Sequence, residues 1–158
     1  MPIQITSDAF AAGSAIPVRF TDDGDDVSPA LKWSGIPANT RELALIMDDP
    51  DAPQPQPWVH WVMCKIPANT GGLPEGVPKN AQPATPPGVI QGTTSFKKIG
   101  YGGPAPPKGH GTHHYHFRLY ALDKPLELTG ELNKTSLLAA MSGHILDQGE
   151  LVGTYIRE

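Results

Sequence analysis

Three aspartates, Asp48, Asp49 and Asp51, close an otherwise apolar run and are followed by Pro50, Pro53, Pro55 and Pro57. Proline fixes the backbone and removes amide donors, so these carboxylates are held at the mouth of a rigid turn opening onto Trp58. Histidines form the second concentration of chemistry: His60 inside an apolar stretch, then His110, His113, His114 and His116 after the loop GYGGPAPPKG at 100–109. Carboxylates with imidazoles can bind protons, anions or a metal ion, the last through neutral ring nitrogens. Ser95 and Thr94 are the candidate nucleophiles, but no serine-hydrolase elbow surrounds them, and Cys64 lies in an apolar run as a small buried hydrophobe. The 100–111 loop lacks the lysine and hydroxyl that end a P-loop and opens no helix, so its glycines offer at most backbone N–H groups to an anion.

Strands must position these groups. In 42–48, Leu43, Leu45 and Met47 alternate with Ala44 and Ile46, the pattern of a strand covered on both faces. In 58–66, strict alternation puts Trp58, His60, Val62, Cys64 and Ile66 on one face and Val59, Trp61 and Met63 on the other. In 113–122, His113, Tyr115, Phe117, Leu119 and Ala121 share one face, which turns His114 and His116 away from His113. Shorter strands are expected at 2–6, 17–20 and 150–156. One helix is expected over 134–147, with a stripe of Leu137, Leu138, Met141 and Ile145, a cap at Asn133 or Thr135, and a stop at Gly149. The segment 67–112 is rich in proline and glycine and reads as surface loop, which at that length is usually functional.

At 158 residues the chain suits a single domain spanning 1–158, and strands without strand–helix alternation make it mostly β. A net charge of −4 excludes the basic stripe that a nucleic-acid polymer requires, and the Lys97–Lys98 pair is too short to supply one. The lone cysteine permits no internal disulfide and suits a reducing compartment. The N-terminal residues lack a secretory pattern and no apolar run is long enough to span a bilayer, so a cytoplasmic protein that is not an integral membrane protein is expected.

DPDAP at 49–53 leading to WVHWVMCKIP at 58–67, then GYGGPAPPKG at 100–109 leading to HHYHFRLYALD at 113–123, resemble the two signatures of the phosphatidylethanolamine-binding protein, or Raf kinase inhibitor, family. The ending GHILDQGELVGTYIR at 143–157 is similar too, and the short bacterial and archaeal members are the nearest in form. The resemblance implies a two-sheet, β-sandwich-like core with a few peripheral helices. It also implies a non-enzymatic pocket for phosphate groups of lipid headgroups, nucleotides or phosphorylated side chains, with no cofactor. Carried over by position, that pocket would use Asp49, Asp51, His60, Gly103, Pro104, His113 and Tyr115, with a cis peptide near its entrance at Pro53 or Pro57. A protein kinase or protease is the implied protein partner, and the proline-rich loops could support a homodimer. The chain departs from the family in having His114 where arginine is usual, Ala105 where cysteine is frequent, TTSFK at 93–97 in place of an Asn-Asp pair, and the insertion-like GHGTHHY at 109–115.

Two pocket aspartates raise an electrostatic problem, because like unit charges 4 Å apart repel by about 4 kcal/mol even at an effective dielectric of about 20. A protonated phosphate monoanion, or a proton taken up by the site, relieves it, and affinity is then expected to fall above about pH 6–7. Two other readings use the same residues. One is a metal-dependent hydrolase with Asp49, Asp51, His60 and His113 as ligands, and the other is an interaction scaffold with a vestigial pocket.

Overall fold

The computed structural model describes residues 2–158. Its elements in chain order are β1 (Gln4–Thr6), a 3-10 turn (Val18–Phe20), β2 (Leu31–Ser34), β3 (Glu42–Asp49), β4 (Trp58–Pro67), β5 (Gly72–Leu73), β6 (Ile90–Gln91), β7 (His113–Leu122), α1 (Lys134–Met141) and β8 (Ile145–Tyr155). They form a three-stranded sheet, β1-β2-β5, and a five-stranded sheet, β6-β4-β3-β7-β8, with every pairing of named strands antiparallel. The mostly β, two-sheet expectation holds, with one α-helix and one 3-10 turn as the helical elements among the described residues.

The larger sheet is buried on both sides because its central strands are apolar on both. Leu43, Leu45 and Met47 of β3 and Tyr115, Phe117, Leu119 and Ala121 of β7 enter the core against the small sheet, where Ile5, Leu31, Trp33 and Leu73 meet them. Ala44 and Ile46 face a second core closed by Leu126, Leu137 and Met141. Alternation along β3 therefore also sends Asp48 and Asp49 to opposite faces. Asp48 is 1% exposed beneath α1, bound by Arg118 Nη1 and Lys134 Nζ at 2.7 Å each, and is a structural ion pair.

Three local expectations change. Residues 17–20 close as a 3-10 turn, in which the Phe20 amide donates to Pro17 O, so Phe20 enters the core from a turn. The helix ends at Met141, because Gly143 adopts φ +81° and reverses the chain, and Ile145 opens β8. Asn133 does cap it, in a capping box with Ser136. The cis peptide is Thr85–Pro86, and neither Pro53 nor Pro57 follows a cis bond.

The alternation expected in β4 also breaks, and this shapes the site. Met47 pairs with Trp61 but the next residue, Asp48, pairs with Val59, so β4 carries one extra residue at His60. A second extra residue falls where Leu43 pairs with Ile66 and Leu45 with Met63, next to Lys65 at φ +56°. Each β-bulge lets consecutive side chains leave on one side. His60 thus sits on the Trp61 side with Tyr115, opposite Val62 and Cys64, and Ile66 likewise joins the first core.

Candidate functional site

The ends of β3, β4 and β7 meet the 93–107 loop around a cavity of about 200 Å³. Asp49, His60, His113 and Tyr115 supply its polar wall. Trp58, Phe96, Ala52, Pro53, Ala105, Pro106 and Pro107 supply an apolar one, with Gln54 at the mouth. Phe96 is carried in by Ser95, whose Oγ accepts from the Val59 amide at 2.8 Å and whose own amide donates to Val59 O at 2.9 Å. Phe96 then meets Trp58 and His60 edge to face at 5.6 and 5.2 Å. Ser95 and Thr94, whose hydroxyl donates to Lys98 O, are loop fasteners.

Asp49 and His113 form a buried pair, with Nδ1–H donated to Oδ2 at 2.6 Å and side chains 3% and 1% exposed. The other Asp49 oxygen accepts the Asp51 amide at 2.8 Å. The remaining His113 nitrogen, Nε2, lies 2.6 Å from Nδ1 of His110. His60 donates from Nδ1 to the Gly102 carbonyl at 2.6 Å, which fixes the tautomer and leaves Nε2 with its lone pair. Burial, only partly offset by that carbonyl and by Asp49, holds the His60 imidazole below its usual pKa and so neutral near pH 7. Tyr115 is fully buried, stacks edge to face on His60 at 5.1 Å, and its hydroxyl has no hydrogen-bond partner. Burial first, then the charge of Asp49, pushes that hydroxyl far above the ordinary tyrosine range, so it stays a donor.

The other expected residues stand elsewhere. Asp51 does not line the cavity: Oδ2 accepts from His114, through the ring Nδ1 at 2.7 Å and the amide at 2.8 Å. Desolvation raises its carboxyl, but the bonds and charge from His114 hold it below the usual value. His114, turned away from His113 by alternation, is thus what takes Asp51 out of the cavity. Gly103 packs its backbone against the 20–26 segment, where a Cβ would lie 2.4 Å from Phe20 O, and its amide is spent on Asp26 Oδ1 at 2.7 Å. The Gly102 amide is spent on His60 O at 2.8 Å, and Pro104 O accepts from the Asp22 amide. The loop positions His60 through the Gly102 carbonyl, and these two glycine amides are not free for an anion. The set Asp49, Asp51, His60 and His113 is not gathered on one point, and among the described residues no three His, Cys, Asp or Glu converge as metal ligands. Cys64 is buried, with its thiol pushed up to about 12 by desolvation.

The apolar wall was the least legible part. Trp58 and Pro53 were visible beside the aspartates, but Phe96 lies in a segment without periodicity. His110 carried only the signal of histidine density.

Two antiparallel sheets, with an Asp–His pair and an unpartnered tyrosine beside a cavity at one end, define a two-sheet β-protein with a candidate binding cavity. The phosphatidylethanolamine-binding protein family model matches residues 6–156, and the chain belongs to that family. A UPF0098 protein of Pyrococcus horikoshii is 45% identical over 158 residues, covering all of this chain and 78% of its own. The crystal structure of a phosphatidylethanolamine-binding protein homologue from Chlamydia trachomatis is similar at TM-score 0.87 and 36% identity, covering 99% of both chains. That of YbcL from E. coli, described as a new member of the mammalian family, is similar at TM-score 0.91 and 28% identity over the whole of both. Membership supports a ligand-binding, non-catalytic role in general, and no helix among the described residues is long and apolar enough to cross a membrane.

Proposed function

We propose that the chain binds small phosphate-bearing ligands, such as a lipid headgroup, a nucleotide or a phosphorylated side chain, in this cavity, and that it takes them as singly protonated anions without chemical turnover. The observation that carries the reading is the Tyr115 hydroxyl, a donor buried in the cavity wall with nothing to donate to. Leaving such a group unsatisfied costs about 1–3 kcal/mol, a cost that a ligand oxygen removes on binding. His60 Nε2 offers the complementary acceptor, suited to a P–OH proton. Among the described residues lining the cavity there is no Lys or Arg, and Asp49 lies in its wall, so a phosphate dianion finds no countercharge there. The carbon substituent of the ligand packs against Trp58, Phe96 and Pro106.

In the cytoplasm, where Cys64 stays a thiol, the loaded protein would act on a protein kinase or protease through the rim of the cavity, by analogy with the family. Affinity falls as pH rises through the second phosphate pKa of about 6, because the ligand then loses the proton that His60 accepts.

Titration calorimetry with phosphoethanolamine and phosphotyrosine, on wild type and Tyr115→Phe, tests this. The variant is expected to bind about tenfold more weakly, the scale of one hydrogen bond to a charged group, and to melt at the same or a higher temperature. Equal affinity in the two proteins removes the reading.

A further inference from the structure

His113 is the cavity residue best placed to meet a phosphate ligand, since Asp49 holds its ring through Nδ1 and leaves Nε2 as the outer atom. Yet its outer nitrogen is already taken by His110 Nδ1 at 2.6 Å. His110 does not itself line the cavity; it is an exposed residue of the 100–112 loop. Its neighbours Gly109 and Gly111 have φ of +72° and +88°, and a Cβ on either would meet nothing within 4 Å. Gly109 is tied to the C-terminal segment by its amide to Arg157 O at 3.0 Å, and the His110 amide reaches Pro107 O only at 3.3 Å. The exposed His110 ring packs on that of His113, with centroids 4.8 Å apart.

We infer that His110 is a specificity-determining residue of the phosphate site, an internal competitor that occupies His113 Nε2 and must swing out before His113 can join the ligand. This rests on the phosphate reading above. With His110 in place, the cavity offers only Tyr115 OH and His60 Nε2, which suits a small singly charged head. With His110 displaced, His113 adds a third contact backed by Asp49. Where the open form is the minor one, apparent affinity is reduced by its population, so removing the competitor strengthens binding. Asparagine at position 110 is the conservative replacement, because its amide oxygen or nitrogen can occupy the place of Nδ1 and restore the block.

The experiment titrates inorganic phosphate and phosphoethanolamine into wild type, His110→Ala, His110→Asn and the control His144→Ala, whose ring pairs with Asp123 outside the cavity, at one pH, with bound metal measured in each protein. His110→Ala is expected to bind at least about fivefold more tightly than wild type, with His110→Asn and His144→Ala near wild type. Binding by His110→Ala alone also supports the inference, with wild type closed. Equal or weaker binding by His110→Ala, while wild type binds, overturns the inference and leaves the phosphate reading standing. Stoichiometric zinc held by wild type and lost in His110→Ala overturns it as well, since the pair would then be a metal site. No binding by any of the proteins at millimolar phosphate removes both.

Discussion

Asp49 and His113 show how much the role of a side chain depends on which of its atoms are left free. Both were evident in the sequence as chemistry-bearing residues, but their bonds could not be read there, because partners 64 residues apart meet only through the pairing of β3 with β7. Neither side chain is more than 3% exposed, so Asp49→Asn replaces the carboxylate that accepts the His113 Nδ1–H in a dry site with a weaker amide acceptor. An expected loss of about 1.5–3 kcal/mol, the scale of a hydrogen bond to a charged group, is measured by urea unfolding at pH 7. His60 gives a pH signature. Its folded pKa lies below the unfolded value of about 6.5, so the unfolded chain takes up the proton first. The stability that neutral His60 contributes is complete above that value and is lost as pH falls toward the folded pKa. His60→Asn, whose amide can still donate to Gly102 O, is expected to flatten the decline in melting temperature on the acid side of pH 6.5.

Strand elements were legible where the apolar pattern has two distinct faces and illegible where it does not. β3 and β7 were placed with their faces, because a one-residue slip there would turn Asp48 or His116 into the inner core. In β4, Trp58 to Ile66 is apolar on both sides, so an extra residue leaves no mark on the pattern. The bulge at His60 is what turns that side chain onto the Tyr115 side instead of the α1 side. The helix was overextended for a related reason: Ile145 stands eight residues after Leu137 and mimics the helical period across a turn made by Gly143. By sequence the glycine loop offers at most backbone N–H groups to an anion, and its close approach to Phe20 O makes Gly103 a packing residue. Gly103→Ala is therefore expected to destabilise the protein by about 1–3 kcal/mol through overpacking. It would also weaken phosphate binding, since the adjacent Gly102 carbonyl no longer orients His60, and denaturation and calorimetry on one preparation report both effects.

For the molecule as a whole, burying the five-stranded sheet on both faces leaves its strand ends as the place where polar groups can be unsatisfied and still reach a ligand. The central strands spend their side chains on two cores, and the orphaned Tyr115 hydroxyl lies at the cavity end of β7. Part of the charge is arranged as local pairs, such as Asp48 with Arg118 and Lys134, and Asp23 with Arg157. With a net charge of −4 and no Lys or Arg among the described residues lining the cavity, the molecule as a whole does not steer an anion inward. On the proposed reading, binding at this site draws on desolvated hydrogen bonds, which salt screens little, and releases no counterion layer. Phosphoethanolamine affinity is accordingly expected to change by less than about twofold between low and high salt at fixed pH. A decline with a steep logarithmic slope in calorimetry across a sodium chloride series would instead place the ligand on an exposed basic surface, away from Tyr115.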